Sequence, residues 1–102
     1  MKKFVIVASA ASFAVLSSLS AHAFTGQELA KDAKITMKEA REIALKAFPG
    51  KITDEELEKE KGGSGLRYSF DIKKHGKATQ EVGVDAVTGK VLENDPEGPN
   101  PD

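Results

Sequence analysis

Two neighbouring segments of this chain alternate apolar and polar residues, and their apolar positions share the same parity. The apolar positions are Leu66, Tyr68, Phe70 and Ile72 in the first segment, and Ala78, Val82 and Val84 in the second. Alternation with a period of two is typical of a half-buried β-strand. Because the parities match, the two segments can pair as an antiparallel hairpin with both apolar sets on one side of a sheet.

The loop between these segments predicts the register of the hairpin. If Lys73 pairs with Lys77, Lys74–Gly76 forms a three-residue loop whose last position favours glycine, because the backbone there is left-handed. The resulting pairs are Ile72–Ala78, Tyr68–Val82 and Leu66–Val84, with Gln80 opposite Phe70 as a mismatch.

One amphipathic helix is predicted before the hairpin. Thr36 and Glu39 have the spacing of a capping box, in which each side chain accepts a hydrogen bond from the other residue's backbone. Pro49 and Gly50 end the helix, because the residue before a proline avoids helical angles. Between these signals the apolar residues recur at three- and four-residue steps: Met37, Ala40, Ile43, Ala44, Ala47 and Phe48.

The polar stretch Lys51–Lys61 supports two interpretations. Its residues have high helix propensity, and Thr53–Glu56 has the spacing of a second capping box, so local evidence favours a helix. Its only apolar residues, Ile52 and Leu57, form too small a stripe to anchor one. The alternative is a polar edge strand that ends in the loop Gly62–Gly65.

A second turn and a tail are predicted at the C-terminal end. Asp85 can accept hydrogen bonds from turn amides and Gly89 suits a left-handed position, so Asp85–Lys90 is expected to turn the chain. Lys90–Glu93 then returns as a short strand. Asn94–Asp102 contains three prolines and no apolar residue, which predicts a disordered, acidic tail.

The first 23 residues have the pattern of a secretory signal peptide. Two lysines precede a run of thirteen uncharged residues, Phe4–Leu16, and Ala21-His22-Ala23 fits the small-x-small pattern of a cleavage site. Thirteen residues fall short of the roughly 20 that span a bilayer. We therefore expect a cleaved signal peptide at residues 1–23, a lead-in at 24–34 with at most a short helical turn, and a periplasmic or secreted protein without a membrane span.

Composition excludes several functional classes. The chain has no cysteine and two histidines, so disulfides, thiol catalysis and cysteine-ligated metals are ruled out. The balance of 15 basic and 16 acidic residues gives no footprint for nucleic acid. His75 lies in a predicted loop without a nucleophile beside it, and the acidic run after Asp54 lacks the spacing of a calcium loop. No catalytic, cofactor or metal site is predicted.

Several ordered motifs together resemble one family, the PepSY domain. They are Ile35–Ala44, Phe48-Pro49-Gly50, Tyr68–Ile72 and Val84–Val91, the last reading Val-Asp-Ala-Val-Thr-Gly-Lys-Val. The resemblance covers about residues 35–93. It implies an α+β fold, with one helix packed on a three- to four-stranded antiparallel sheet. It also implies a strand directly after Pro49-Gly50, so Lys51–Glu60 is predicted as a strand in spite of its local helix propensity.

The resemblance also implies a function. PepSY domains occur in propeptides of secreted metallopeptidases and as separate exported proteins, with proposed roles as peptidase inhibitors or chaperones. The sequence has no His-Glu-x-x-His zinc motif of its own. The expected function is thus a non-catalytic binding module that inhibits or modulates an exported peptidase in trans. The alternative is an envelope sensory or accessory protein that binds a small ligand or another periplasmic protein, and an enzyme ranks last.

One surface is the candidate contact site. In the predicted register, the sheet face away from the helix carries Arg67, Ser69, Asp71, Thr79 and Glu81, with Arg67 opposite Gly83 and Ser69 opposite Glu81. An ordinary solvated sheet face explains the same pattern. A partner's extended segment added to an exposed edge strand is a further alternative.

Overall fold

A computed structural model describes residues 24–97 as one α-helix on an antiparallel sheet. Helix α1 spans Met37–Ala47, and the strands are β1 (Lys51–Lys59), β2 (Leu66–Lys73), β3 (Gln80–Asp85) and β4 (Val91–Pro96). The sheet order is β1-β2-β3-β4, so each strand pairs with the next along the chain. This arrangement confirms the α+β fold with four strands. The predicted signal peptide at residues 1–23 lies outside the described residues.

Helix α1 begins and ends as its sequence predicts. The Thr36 Oγ1 accepts a hydrogen bond from the Glu39 N–H at 3.1 Å, and the Glu39 Oε1 accepts one from the Thr36 N–H at 2.8 Å. This capping box satisfies two backbone donors that the first turn leaves without partners. The helix ends at Ala47, and Phe48 has extended backbone angles. Met37, Ala40 and Ala44 are buried, so small side chains bring the helix close to the sheet.

A β-bulge explains why β1 does not look like a strand in the sequence. Ile52 pairs with Ile72 and Asp54 pairs with Asp71, which leaves Thr53 as an extra residue. The extra residue reverses the side to which later positions point. Leu57, five positions after Ile52, therefore faces the same side as Ile52 and is 1% exposed. The strand prediction for residues 51–60 is confirmed, and the local preference for a helix is wrong.

The predicted register between β2 and β3 is wrong by two residues. Phe70 pairs with Val82 and Tyr68 with Val84, so both aromatic residues face a valine. Gln80 lies opposite Ile72 at the end of the ladder, where its amide donates to the Asn94 Oδ1 at 2.7 Å. The connection between β2 and β3 is longer than the predicted three-residue loop. The pairing of apolar side chains across the two strands stabilises the sheet more than the favourable turn would. On the other face the pairs are Arg67–Asp85, Ser69–Gly83 and Asp71–Glu81.

Strand β4 extends beyond the predicted boundary. The sequence places its end at Glu93, but the ladder continues through Asn94 and Asp95 to Pro96. The Glu97 N–H also donates to the Thr79 oxygen at 2.7 Å. Backbone pairing thus orders the first residues of the predicted tail although they lack apolar side chains, and residues 98–102 lie outside the described part.

The lead-in packs against the outer edge of β1. Residues Gln27–Asp32 form a 3₁₀ helix, in agreement with the predicted short turn. The Leu57 N–H donates to the Thr25 oxygen at 2.8 Å, and Tyr68 donates its hydroxyl proton to the Ile35 oxygen at 2.8 Å. Residues 24–97 contain no helix long and apolar enough to cross a bilayer.

Candidate functional site

The sheet face opposite α1 carries an acidic groove of about 210 Å³. We name this surface the acidic face and define it by the carboxylates that line the groove. They come from all four strands and the segments next to them: Asp54, Glu56, Glu58, Glu60, Asp71, Glu81, Glu93 and Glu97. Ser69 lies among them and donates its hydroxyl proton to the Glu58 Oε2 at 2.5 Å.

The bulge in β1 brings one strand's carboxylates to this face. Before Thr53 the even-numbered Ile52 points to the helix side, whereas after it Asp54, Glu56 and Glu58 point away from the helix. Their ladder partners are Asp71, Ser69 and Arg67. Without the bulge these acidic residues would point to the helix side together with Ile52; with it, they lie beside the carboxylates of β2 and β3.

The Arg67 side chain extends across the acidic face and passes over Gly83 of β3. It starts on β2, and its Nη1 donates to the Glu93 Oε1 at 3.3 Å, beyond the intervening strand β3. The path is open because Gly83 lies beneath it: a Cβ on Gly83 would lie 3.3 Å from the Arg67 Nη1 and 3.3 Å from the Glu93 Cβ. The Arg67 Nη2 also donates to the Lys61 oxygen at 3.0 Å. Arg67 is only 9% exposed, so its charge interacts mainly with groups of the protein itself.

Several carboxyl groups of the acidic face have raised pKa values. Burial raises the pKa of Glu56 above its usual value, and the neighbouring Glu58 and Asp54 carboxylates raise it further. Repulsion by Glu58, followed by burial, raises the pKa of Glu60. For Asp71 burial is the main cause of a raised pKa, and Glu97 and Asp54 add to it. Each shift means that the ionised form is disfavoured in this surface.

Three of these carboxylates converge at one end of the groove. Oxygen atoms of Asp71, Glu81 and Glu97 all lie within 4.8 Å of one another. Oxygen ligands in such a group are the type that hard divalent cations prefer. The grouping depends on the register between β2 and β3, which places Asp71 opposite Glu81, and on the extension of the chain through Glu97. The sequence pattern indicates neither of these.

The predicted contact residues have different surroundings in the structure. Ser69, Asp71 and Glu81 are half-buried on the acidic face, as the sequence predicts for residues of that face. Thr79 is half-buried in the connection just before β3. Arg67 is buried and paired, which leaves little of it to contact a partner. The sequence analysis did not assign the acidic residues of β1 and β4 to this face, although those of β1 alternate visibly from Asp54 to Glu60.

Asp85 is a buried carboxylate that organises two loops. Its Oδ1 accepts from the Val87 N–H at 2.8 Å, the Thr88 N–H at 3.1 Å and the Ser64 hydroxyl at 2.8 Å. Its Oδ2 accepts from the Ser64 N–H at 2.6 Å. Burial alone would raise the pKa of Asp85, but these hydrogen bonds outweigh it and lower the pKa to about 2. The predicted turn-capping role is confirmed, and the contact with the Gly62–Gly65 loop is an addition.

A second groove is lined in part by an ion pair between α1 and β1. It has a volume of about 770 Å³ and lies between α1, the start of β1 and the lead-in. Arg41 donates from Nε and Nη2 to the two oxygens of Glu55, each at 2.7 Å. This two-point pair connects the helix to β1. His75, which the sequence analysis places in a loop without a nucleophile beside it, is exposed in the connection between β2 and β3.

Comparison with known families agrees with this fold. The PepSY family, described as "Peptidase propeptide and YPEB domain", matches residues 34–95, which is more than half of the chain. The chain belongs to the PepSY family. PepSY domains are associated with peptidase propeptides, are generally non-catalytic and inhibitor-like, and are typically exported. No curated protein and no solved structure matches this chain at a significant level.

Proposed function

We propose that this PepSY protein is an exported, non-catalytic binding module that inhibits or modulates a peptidase in trans. The observation that carries the proposal is the family match over residues 34–95, which covers α1 and nearly all of the sheet. The chain has no His-Glu-x-x-His motif, in keeping with a module that acts on an enzyme instead of being one. We place it in the periplasm or outside the cell.

The proposed contact surface is the acidic face. It contains Ser69, Asp71 and Glu81 of the sequence-based site, with Thr79 at its margin and Arg67 supporting it from within. The surface is polar and accessible, whereas the other side of the sheet is covered by α1 and the lead-in. Binding through charged groups at such a face controls partner choice and association rate more than affinity.

The proposal is tested with the protein as it is exported, added to peptidases secreted by the same cell. Progress curves of peptide hydrolysis should slow for at least one peptidase as the protein concentration rises. Asp71→Lys/Glu81→Lys should lose most of this effect, whereas Glu28→Lys/Glu42→Lys, which changes the net charge equally at exposed sites elsewhere, should keep it. Unchanged hydrolysis across all the peptidases would remove the proposal.

The convergence of Asp71, Glu81 and Glu97 favours a second candidate, an envelope accessory protein that binds a small cationic ligand. A thermal-shift series with Ca²⁺, Mg²⁺ and Zn²⁺ separates the two functions. Stabilisation by one ion at micromolar concentration, lost in Glu97→Gln, supports the accessory role. No shift with any ion leaves peptidase modulation as the function to be tested.

A further inference from the structure

The acidic face is uncovered by the rest of the described chain. Helix α1 and the lead-in pack on the other side of the sheet, and residues 24–97 contain no further helix or strand to cover this one. Glu56, Glu58 and Asp71 are nevertheless half-buried, and their ladder partners are Ser69, Arg67 and Asp54.

The charged residues that line the groove are all carboxylates, while Lys51 and Lys73 lie at one end of the same sheet face. The ion pair that it contains joins Arg67 to Glu93, and Arg67 is buried beneath the surface. The charged groups that raise the pKa of Glu56 are other carboxylates, namely Glu58, Asp54 and Asp71. A surface with such mutual repulsion gains most from a partner that supplies positive charge.

The spacing of the carboxylates matches an extended polypeptide. Asp54, Glu56 and Glu58 follow one another at every second residue of β1, which separates them by roughly 7 Å along the strand. An extended partner segment presents its own alternate side chains with the same period. Lysine or arginine at those positions can therefore reach one carboxylate each, whereas a helix presents side chains at a different spacing.

We infer that the acidic face binds an extended basic segment of a partner protein, with lysine or arginine at every second position. The inference rests on the proposed function, because it names the part of the partner that this module recognises. The partner segment lies over the strands and is held by side-chain ion pairs, so its affinity falls as salt is added.

A ten-residue peptide of alternating lysine and serine is the probe, with binding measured by fluorescence anisotropy on the exported protein. We expect salt-sensitive binding. Glu56→Gln/Glu60→Gln should weaken it by about five- to tenfold, as the loss of two partly exposed ion pairs predicts. Glu28→Gln/Glu42→Gln changes the net charge equally at exposed sites elsewhere and should bind like the wild type. Circular dichroism of each variant checks that the fold is retained.

Three results overturn the inference. They are absence of binding to the alternating peptide, equal weakening by both double variants, and equal affinity for a peptide of the same composition with its lysines in one block. The inference and the proposed function fail separately. Peptide binding without an effect on any peptidase removes only the proposed function, whereas inhibition that is unchanged in Glu56→Gln/Glu60→Gln removes only the inference.

Discussion

Asp85 shows how a single residue can determine two loops. Its two oxygens accept hydrogen bonds from the backbone of Ser64 on one side and of Val87 and Thr88 on the other. In Asp85→Asn the amide nitrogen replaces one acceptor, and at least one of these N–H groups faces another donor. We expect the free energy of unfolding to fall by about 2 kcal/mol in urea denaturation. Asp71→Asn, which lacks such bonds at its carboxylate, should not be destabilised.

The pKa of Asp85 gives this prediction a pH dependence. Because the folded pKa is lowered to about 2, the stabilisation is complete above the unfolded pKa of about 3.9 and is lost as the pH falls towards 2. The difference between wild type and Asp85→Asn should therefore shrink between pH 4 and about pH 2. A difference that stays constant over this range would show that Asp85 acts through packing alone.

At the scale of elements, the sequence predicts what depends on nearby residues. The capping box of α1 lies within four residues, and the alternation of β2 lies within eight, so both are visible without the fold. The register of β3 depends on Phe70 meeting Val82, a contact between strands that a favourable turn motif can hide. The side on which the β1 carboxylates lie depends on a bulge at Thr53, which no local signal marks. The contribution of β1 to the acidic face was missed for that reason.

The bulge leads to a prediction about deletions in β1. Removing Thr53 joins Ile52 to Asp54 in a regular ladder and keeps the direction of each side chain, so we expect a cost of only about 1 kcal/mol. Removing Glu56 instead turns the buried Leu57 towards the acidic face, and the cost should be about 3 kcal/mol or more. Thermal unfolding compares the two, and equal losses would contradict the assignment of Thr53 as the extra residue.

For the whole molecule, the near-neutral net charge gives no sign that the acidic residues are concentrated on one face. The chain has 15 basic and 16 acidic residues, yet the carboxylates of four strands gather on one face of the sheet. Net charge determines solubility and long-range attraction. The face to which each strand's charged side chains point determines where the electrostatic field at the surface is strongest. The composition alone therefore indicates no binding surface, and the surface becomes visible only when the strands and their register are known.

This concentration of acidic residues predicts a stability maximum in mild acid. The folded pKa values of Glu56, Glu60 and Asp71 are raised, so the folded state binds their protons more tightly, and stability rises as the pH falls from neutrality. Below about pH 4 the trend reverses, because the Asp85 carboxyl takes up a proton in the unfolded state while its folded pKa of about 2 keeps it ionised in the folded state. Glu56→Gln/Glu60→Gln should stabilise the protein at pH 7 by roughly 0.5 kcal/mol and flatten the rise, as measured by melting temperature against pH. A maximum of wild-type stability at pH 7 would contradict the repulsion on the acidic face. If the carboxylates repel one another, the folded protein cannot be most stable at a pH where all of them are ionised.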